Sequence, residues 1–355
     1  MNKISPLQLA ALMLCGRCVS VMSYTPFNIE NTTILIVATL ISTAIQCALI
    51  MPLVFFQQKF PSDNPCTLAL FKNKTAGIIV TILYLLFFMT AAFLLIGDFV
   101  YLMDFYLSNF LPRLAIVAIM VLAALYIGKM NVSVFGKTGS FVLIIFTIFT
   151  IIILLSVEKD FYADNLYIAG DNFSASVKTE IKNEIARNRM LVMLVFLLPD
   201  LKGSAARCGF TYLGIKLVLL EVILTFITVI LGDFARYSKL PFFYLAAYSK
   251  TQIVERYDAV FMALWVFMSL LKLGMYFHCS GRCLKMIIPK LPKIWAIIVT
   301  AAVPAWFSLR ILLKHRWETL SHYNGSMIYL ILLVTIIPLI MLFIRRERGK
   351  INEKP

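Results

Sequence analysis

Charge is what this sequence has least of. Charged residues make up 14% of its 355 positions, against roughly 25% in a soluble domain. Acids are the scarcer sign, with 18 Asp and Glu facing 33 Lys and Arg. Histidine occurs three times, and neither an H-E-x-x-H run nor a G-x-S-x-G turn is present. His278, His315 and His322 fall at the ends of apolar runs or between them. No nucleophile, acid–base pair or metal-ligand set can be assembled, so no enzyme, catalytic residue, metal or cofactor is expected. What fills the chain instead is apolar: 61% of residues are hydrophobic and the mean hydropathy is +0.88. No single water-soluble core buries that excess, and a disordered chain would not carry it.

The apolar residues come in long runs rich in Leu, Ile, Phe and Val without period-2 alternation, which predicts membrane-spanning helices rather than a lipid-facing barrel. Nine runs fall near 6–27, 34–56, 75–100, 112–130, 138–157, 211–231, 256–279, 293–313 and 325–344. A tenth, Arg189 to Pro199, extends only about 16 Å as a helix, half of the roughly 30 Å hydrocarbon layer. It is placed in a helix over 185–200. The expected fold is all-α: a polytopic membrane protein of about ten helices forming one integral-membrane domain over residues 1–355. The first run has Lys3 as its only basic flank and no A-x-A-like site, so it reads as an uncleaved first helix rather than a secretion signal.

Lys and Arg are in modest excess in the segments that share a side with both termini, including the basic run after Phe343. Both termini are therefore expected in the cytoplasm. The formal charge of +15 reads as this topology signal. Its scatter through loops excludes a nucleic-acid-binding face. Cys15 and Cys18 have C-x-x-C spacing and Cys279 and Cys283 form a second close pair, but the two pairs lie at different depths of different spans. Small packing residues explain them better than a shared zinc or redox site.

Charges inside spans are costly and must face the bundle interior or water. Arg17 lies deep in the first span and Glu221 deep in the seventh, at similar depth, so they are expected to pair as a structural clamp or a gate. Lys216 and Lys272 lie nearer span ends, where snorkelling competes with function. Trp265, Ser269, Lys272 and Tyr276 recur at i, i+4, i+7 and i+11, putting an indole, a hydroxyl, a cation and a phenol on one helix face. Tyr84 and Phe88 share a face of the third span, as packing aromatics or as a pocket wall. Gly16 beside Arg17 suggests an interruption in helix one, and the short run before Pro199 one in helix six. Paired interruptions in matching halves point to a five-plus-five inverted repeat with a midplane site. The expected ligand is a small zwitterion held by Gly16, Arg17, Tyr84, Phe88, Trp265, Ser269, Lys272 and Tyr276, with Phe196 as the contribution of helix six.

The stretch from Leu240, LPFFYLAAYSKTQIVERYDAVFMALWVFMSLLKLGMY, resembles the B subunit of nutrient germinant receptors of endospore-forming bacteria, the spore permease family. Pro241 leading a short outer helix, Arg256 and Asp258 opening the eighth span, and Trp265 and Lys272 inside it carry the likeness. The opening ISPLQLAALML and the later LLPDLK add to it. The resemblance implies the inverted-repeat fold of amino-acid permeases, a pocket among helices one, three, six and eight, and a location in the inner spore membrane. It also implies an A-type subunit and a lipoprotein C-type subunit as partners. Three departures stand out: Asp258 occupies a position where Glu is usual, Arg17 is unexpected at the helix-one break, and Ser174 to Arg189 reads as too charged to sit in lipid. A germinant-sensing subunit is the expected function, with a proton- or ion-coupled amino-acid transporter as the alternative.

Overall fold

The computed structural model describes residues 3–23, 33–107, 111–166, 173–238, 240–249, 257–312 and 326–343. Arg256, His315 and His322 lie outside the described residues. In chain order the helices are α1 (Pro6–Met22), α2 (Thr33–Leu49), α3 (Met51–Lys59), α4 (Pro65–Lys72), α5 (Lys74–Leu107), α6 (Arg113–Gly128), α7 (Val132–Ser156) and α8 (Phe173–Arg187). They continue with α9 (Met190–Phe196), α10 (Ala205–Leu231), α11 (Phe234–Tyr237), α12 (Pro241–Tyr248), α13 (Asp258–Ile287) and α14 (Lys293–Leu312). The last two, α15 (Ser326–Ile331) and α16 (Ile337–Leu342), are joined by a π turn over Leu332–Ile336.

Among the described residues, six helices are long and apolar enough to cross a membrane: α2 continuing into α3, α5, α7, α10, α13 and α14. α1, α6 and the segment Met327–Leu342 are shorter apolar helices. Side chains such as Ile119, Leu122, Phe141, Ile148, Leu155, Val218 and Trp306 are exposed on the outside of the bundle. An outward apolar surface is what lipid solvates at no cost, while every backbone group is satisfied within its helix. The chain is a polytopic, all-helical membrane protein.

Burial identifies the central helices. The most apolar window of α13 is 72% buried, whereas those of α7 and α14 are 33% buried. α1 is buried on nearly every side, from Leu9 to Met22. A helix apolar all round belongs in the middle of a bundle, and one with a single apolar stripe facing its neighbours belongs at the rim. α1 starts cleanly because Ser5 and Gln8 form a reciprocal capping box (3.2 Å each way) and Pro6 occupies the first turn, where its missing N–H costs nothing.

The packing has an internal symmetry. Let α1 be unit one, α2–α3 two, α5 three, α6 four, α7 five, α8–α9 six, α10 seven, α13 eight, α14 nine and α15–α16 ten. For several of the main pairings, exchanging each unit with the one five places on maps one contact onto another. One against seven corresponds to six against two; four against eight to nine against three; one against five to six against ten. The connecting helices match too, α4 between two and three and α11–α12 between seven and eight. This is the pairing a five-plus-five repeat requires.

Two sequence expectations about helix breaks are corrected. α1 runs unbroken through Gly16; the glycine serves close approach instead, since a Cβ there would lie 2.4 Å from Met190 Cε. Of these two units the break falls in unit six, at Asn188–Arg189, where the amides of Leu191 and Val192 bond back only three residues, to the carbonyls of Asn188 (3.2 Å) and Arg189 (3.3 Å). Helix six also starts well before 185. The charged run up to Arg187 folds as α8 and packs along α2, and Asn188 and Arg189 form the break. Its charges are sorted by face: Glu180 and Glu184, one turn apart, are buried, while Lys178 and Lys182 are exposed.

Beyond α9, the chain turns through Leu198–Asp200 and pairs with the residue just before α1. The Ile4 amide donates to Asp200 O (2.9 Å) and the Lys202 amide to Ile4 O (2.8 Å). Among the described residues this parallel bridge is the one strand-like pairing.

Candidate functional site

A buried polar cluster joins units one, two, six and seven at the helix-six break. Arg17 Nη2 contacts Glu184 Oε2 at 2.5 Å, and Lys216 Nζ contacts Glu184 Oε1 at 3.2 Å. Lys216 also donates to Gln46 Oε1 (3.1 Å), which accepts from Asn188 Nδ2 as well (2.5 Å). The Tyr212 hydroxyl donates to Asn188 Oδ1. All six side chains are buried. Asn188, at the break, is thus held by α2 and α10, and Glu184 accepts from both cations.

The expected pairing of Arg17 with Glu221 is therefore replaced by Arg17 with Glu184. Depth along the spans was the only guide to a partner, and it ignored the acids of α8. Glu221 is half-buried on α10, and its Oε1 has no hydrogen-bond partner. Lys216 does not snorkel: it is fully buried on Glu184.

Trp265, Ser269, Lys272 and Tyr276 are all buried on α13. The Trp265 ring stacks on Phe99 of α5 at 5.0 Å and 14°. Lys272 Nζ donates to Ser20 Oγ of α1 at 3.0 Å, and the charged groups around it are Arg189, Arg17 and Asp98. Trp265 Nε1 and Ser269 Oγ are buried with no hydrogen-bond partner among the described residues. Buried donors are almost always satisfied, so these two leave hydrogen-bonding capacity unused on one stripe of α13.

One turn further along, rings fill the space between units three, six and eight. Phe88 meets Phe196 edge-on at 5.3 Å and Tyr276 at 6.4 Å, and Tyr84 lies 6.2 Å from Phe196. The Tyr276 hydroxyl points at Met190 Sδ (3.8 Å), the side chain that fills the notch at Gly16. Tyr84 spends its hydroxyl on Leu333 O (2.7 Å), a carbonyl of the π turn. This layer is a packed floor beneath the orphan donors.

The floor is closed on the side of the Ile4 bridge by Arg282. Its guanidinium pairs with Asp200 and lies 5.7 Å from the Phe196 ring centroid. Asn64 Nδ2 donates to Phe196 O (2.9 Å), satisfying the carbonyl end of α9. Cys15 Sγ bonds Gly139 O (3.0 Å), and all seven cysteines are free thiols. Cys15 and Cys18 lie on α1 and Cys279 and Cys283 on α13, and among the described residues no cluster of three or more His, Cys, Asp or Glu could hold a metal.

Glu184, Lys216, Gln46, Asn188, Tyr212, Ser20 and Met190 were not singled out as site residues by sequence. Glu180 and Glu184 at i, i+4 were the available signal, since that spacing puts both acids on one helix face.

A polytopic helical bundle with a broken helix and buried charges inside it has the layout of a permease-like membrane protein. Residues 7–316 match the family model described as spore germination protein, Spore_permease, and the chain belongs to that family. Its fold is similar to that of Mhp1, a nucleobase-cation-symport-1 family transporter solved in a closed conformation with bromovinylhydantoin bound. The TM-score is 0.54 at 11% identity, covering 96% of this chain and 92% of that one. No curated protein matches the sequence.

Proposed function

We propose that this permease-like chain is the membrane-embedded, nutrient-sensing subunit of a spore germinant receptor, and that it takes a small zwitterion, an amino acid. The observation that carries the reading is the pair of unpartnered donors, Trp265 Nε1 and Ser269 Oγ, one to two turns from Lys272 on the same buried face of α13. The two donors and the ammonium suit a carboxylate, and Phe99, Phe88 and Tyr276 supply apolar wall and floor. Ten crossings, both termini cytoplasmic, the inner spore membrane, and A-type and lipoprotein C-type subunits as neighbours complete the proposal; family membership and the basic C-terminal run support these.

The test is amino-acid-triggered germination of spores carrying Lys272→Met or Ser269→Ala, with labelled amino-acid binding to the purified protein. Both variants should lose ligand dependence at normal protein levels. Unchanged dose–response in both would move the site elsewhere. Labelling of a cysteine placed at Lys350 from the outer side would overturn the orientation.

A coupled transporter is the second reading, favoured by the fold shared with Mhp1. Uptake of labelled amino acid into proteoliposomes, driven by an ion gradient, separates the two: a sensor binds without accumulating.

A further inference from the structure

The search for a second site leads to Arg17. Its Nη2 is committed to Glu184, yet Nε and Nη1 are buried and have no hydrogen-bond partner. A half-bonded guanidinium inside a bundle is costly, because each desolvated N–H gives up its hydration for nothing. The same side chain, only 4% exposed, lines a cavity of about 30 Å³ between α1, α2, α8, α10 and α12. Ser20, one turn along α1, lines it too. Since Ser20 Oγ accepts from Lys272, its own O–H proton is free to donate.

Charge and volume decide what fits. Glu180 and Arg187, both on the wall, neutralise each other through a 3.1 Å ion pair. That leaves Glu184 and the half-buried Glu221 against Arg17 and Lys216, both of which Glu184 contacts directly, and Lys272, which reaches the wall through Ser20. Arg189 and Asp98, of opposite sign, also lie near Lys272. The cluster is therefore cation-rich in a setting where an uncompensated charge costs several kcal/mol. A water needs roughly 10–15 Å³ of such volume, so this space suits about two waters or one small ion.

We propose that a small monovalent anion, a halide or a carboxylate group of formate size, binds between Arg17 Nε and Nη1 and the Ser20 hydroxyl. It would complete the coordination of Arg17 and, through Ser20, sit one hydrogen bond from Lys272. This site is separate from the Trp265–Ser269 face and stands whether or not a nutrient binds there.

The experiment uses the full chain in detergent, without amino acid, at constant ionic strength. Sodium gluconate is replaced stepwise by chloride, bromide or formate while thermal unfolding is followed. Wild-type protein should show a saturable rise in unfolding temperature with the small anions and none with gluconate. Ser20→Ala, which leaves the Arg17–Glu184 pair intact, should weaken the apparent affinity about tenfold, as expected for one hydrogen bond to a charged group. Arg17→Lys keeps the charge and removes the guanidinium fork, and should abolish the dependence. A response to formate alone assigns the site to a carboxylate and one to halides alone to an inorganic ion; either supports the proposal. Identical unfolding in chloride, formate and gluconate overturns it, as does wild-type anion dependence retained in both variants.

Discussion

Arg17 of α1 and Glu184 of α8 meet at 2.5 Å inside the bundle, at the point where helix six is about to break. The carboxylate is shared with Lys216, so its removal strands two buried cations. Glu184→Gln should destabilise the protein by about 3–5 kcal/mol, whereas Arg17→Met combined with Glu184→Leu should cost less than the two single changes added together. Glu221→Gln should cost less than about 1 kcal/mol, since that half-buried carboxylate makes no direct ion pair and its Oε1 no hydrogen bond. Chemical denaturation in detergent measures each of these variants; additive losses for Arg17 and Glu184 would contradict the contact.

Gly16 and Met190 form a notch and its filling. A Cβ on residue 16 meets the flexible end of Met190, so Gly16→Ala should cost about 1–3 kcal/mol in overpacking. In a Met190→Ala background the same change should cost little or nothing, and thermal unfolding of the four proteins gives the coupling directly.

The π turn in the last helix depends on a side chain from α5. Tyr84→Phe removes the donor on Leu333 O and should cost about 1–3 kcal/mol, the penalty for an orphaned buried carbonyl. Tyr329→Phe removes a bond from a half-buried hydroxyl to Leu83 O and should cost less. Parallel unfolding curves decide the order.

Arg282 covers the thiols beside it on α13. Cys279 and Cys283 are fully buried, so their labelling reports opening at this end. Arg282→Gln frees Asp200 and uncovers the Phe196 ring, and should speed maleimide labelling at these two thiols while leaving Cys15 slow. Mass spectrometry of the labelled peptides identifies which thiol reacts.

Helical spacing made the stripe Trp265, Ser269, Lys272 and Tyr276 readable as one buried face, because positions four, three and four apart must lie on one side of any helix. Span order carried the all-helical membrane fold for the same reason: nothing but a helix or a closed barrel satisfies its backbone in lipid. Chain-neighbour logic failed where two distant segments decide together. Gly16 looked like a hinge, yet whether a glycine bends a helix or admits a neighbour depends on Met190, far along the chain. The run around Glu184 looked too polar to enter a bundle, yet its acids find Arg17 and Lys216, which no local pattern announces.

The backbone bridge at Ile4 ties the entry to α1 and the exit from α9 into one piece. Two hydrogen bonds run through a single residue, Ile4, to Asp200 and Lys202, and Asp200 is gripped in turn by Arg282. The ends of units one and six therefore cannot slide past each other as independent rods. A movement that parts them has to break both bonds, so an opening that leaves the bridge intact carries the two ends together, like blades pinned at one knuckle.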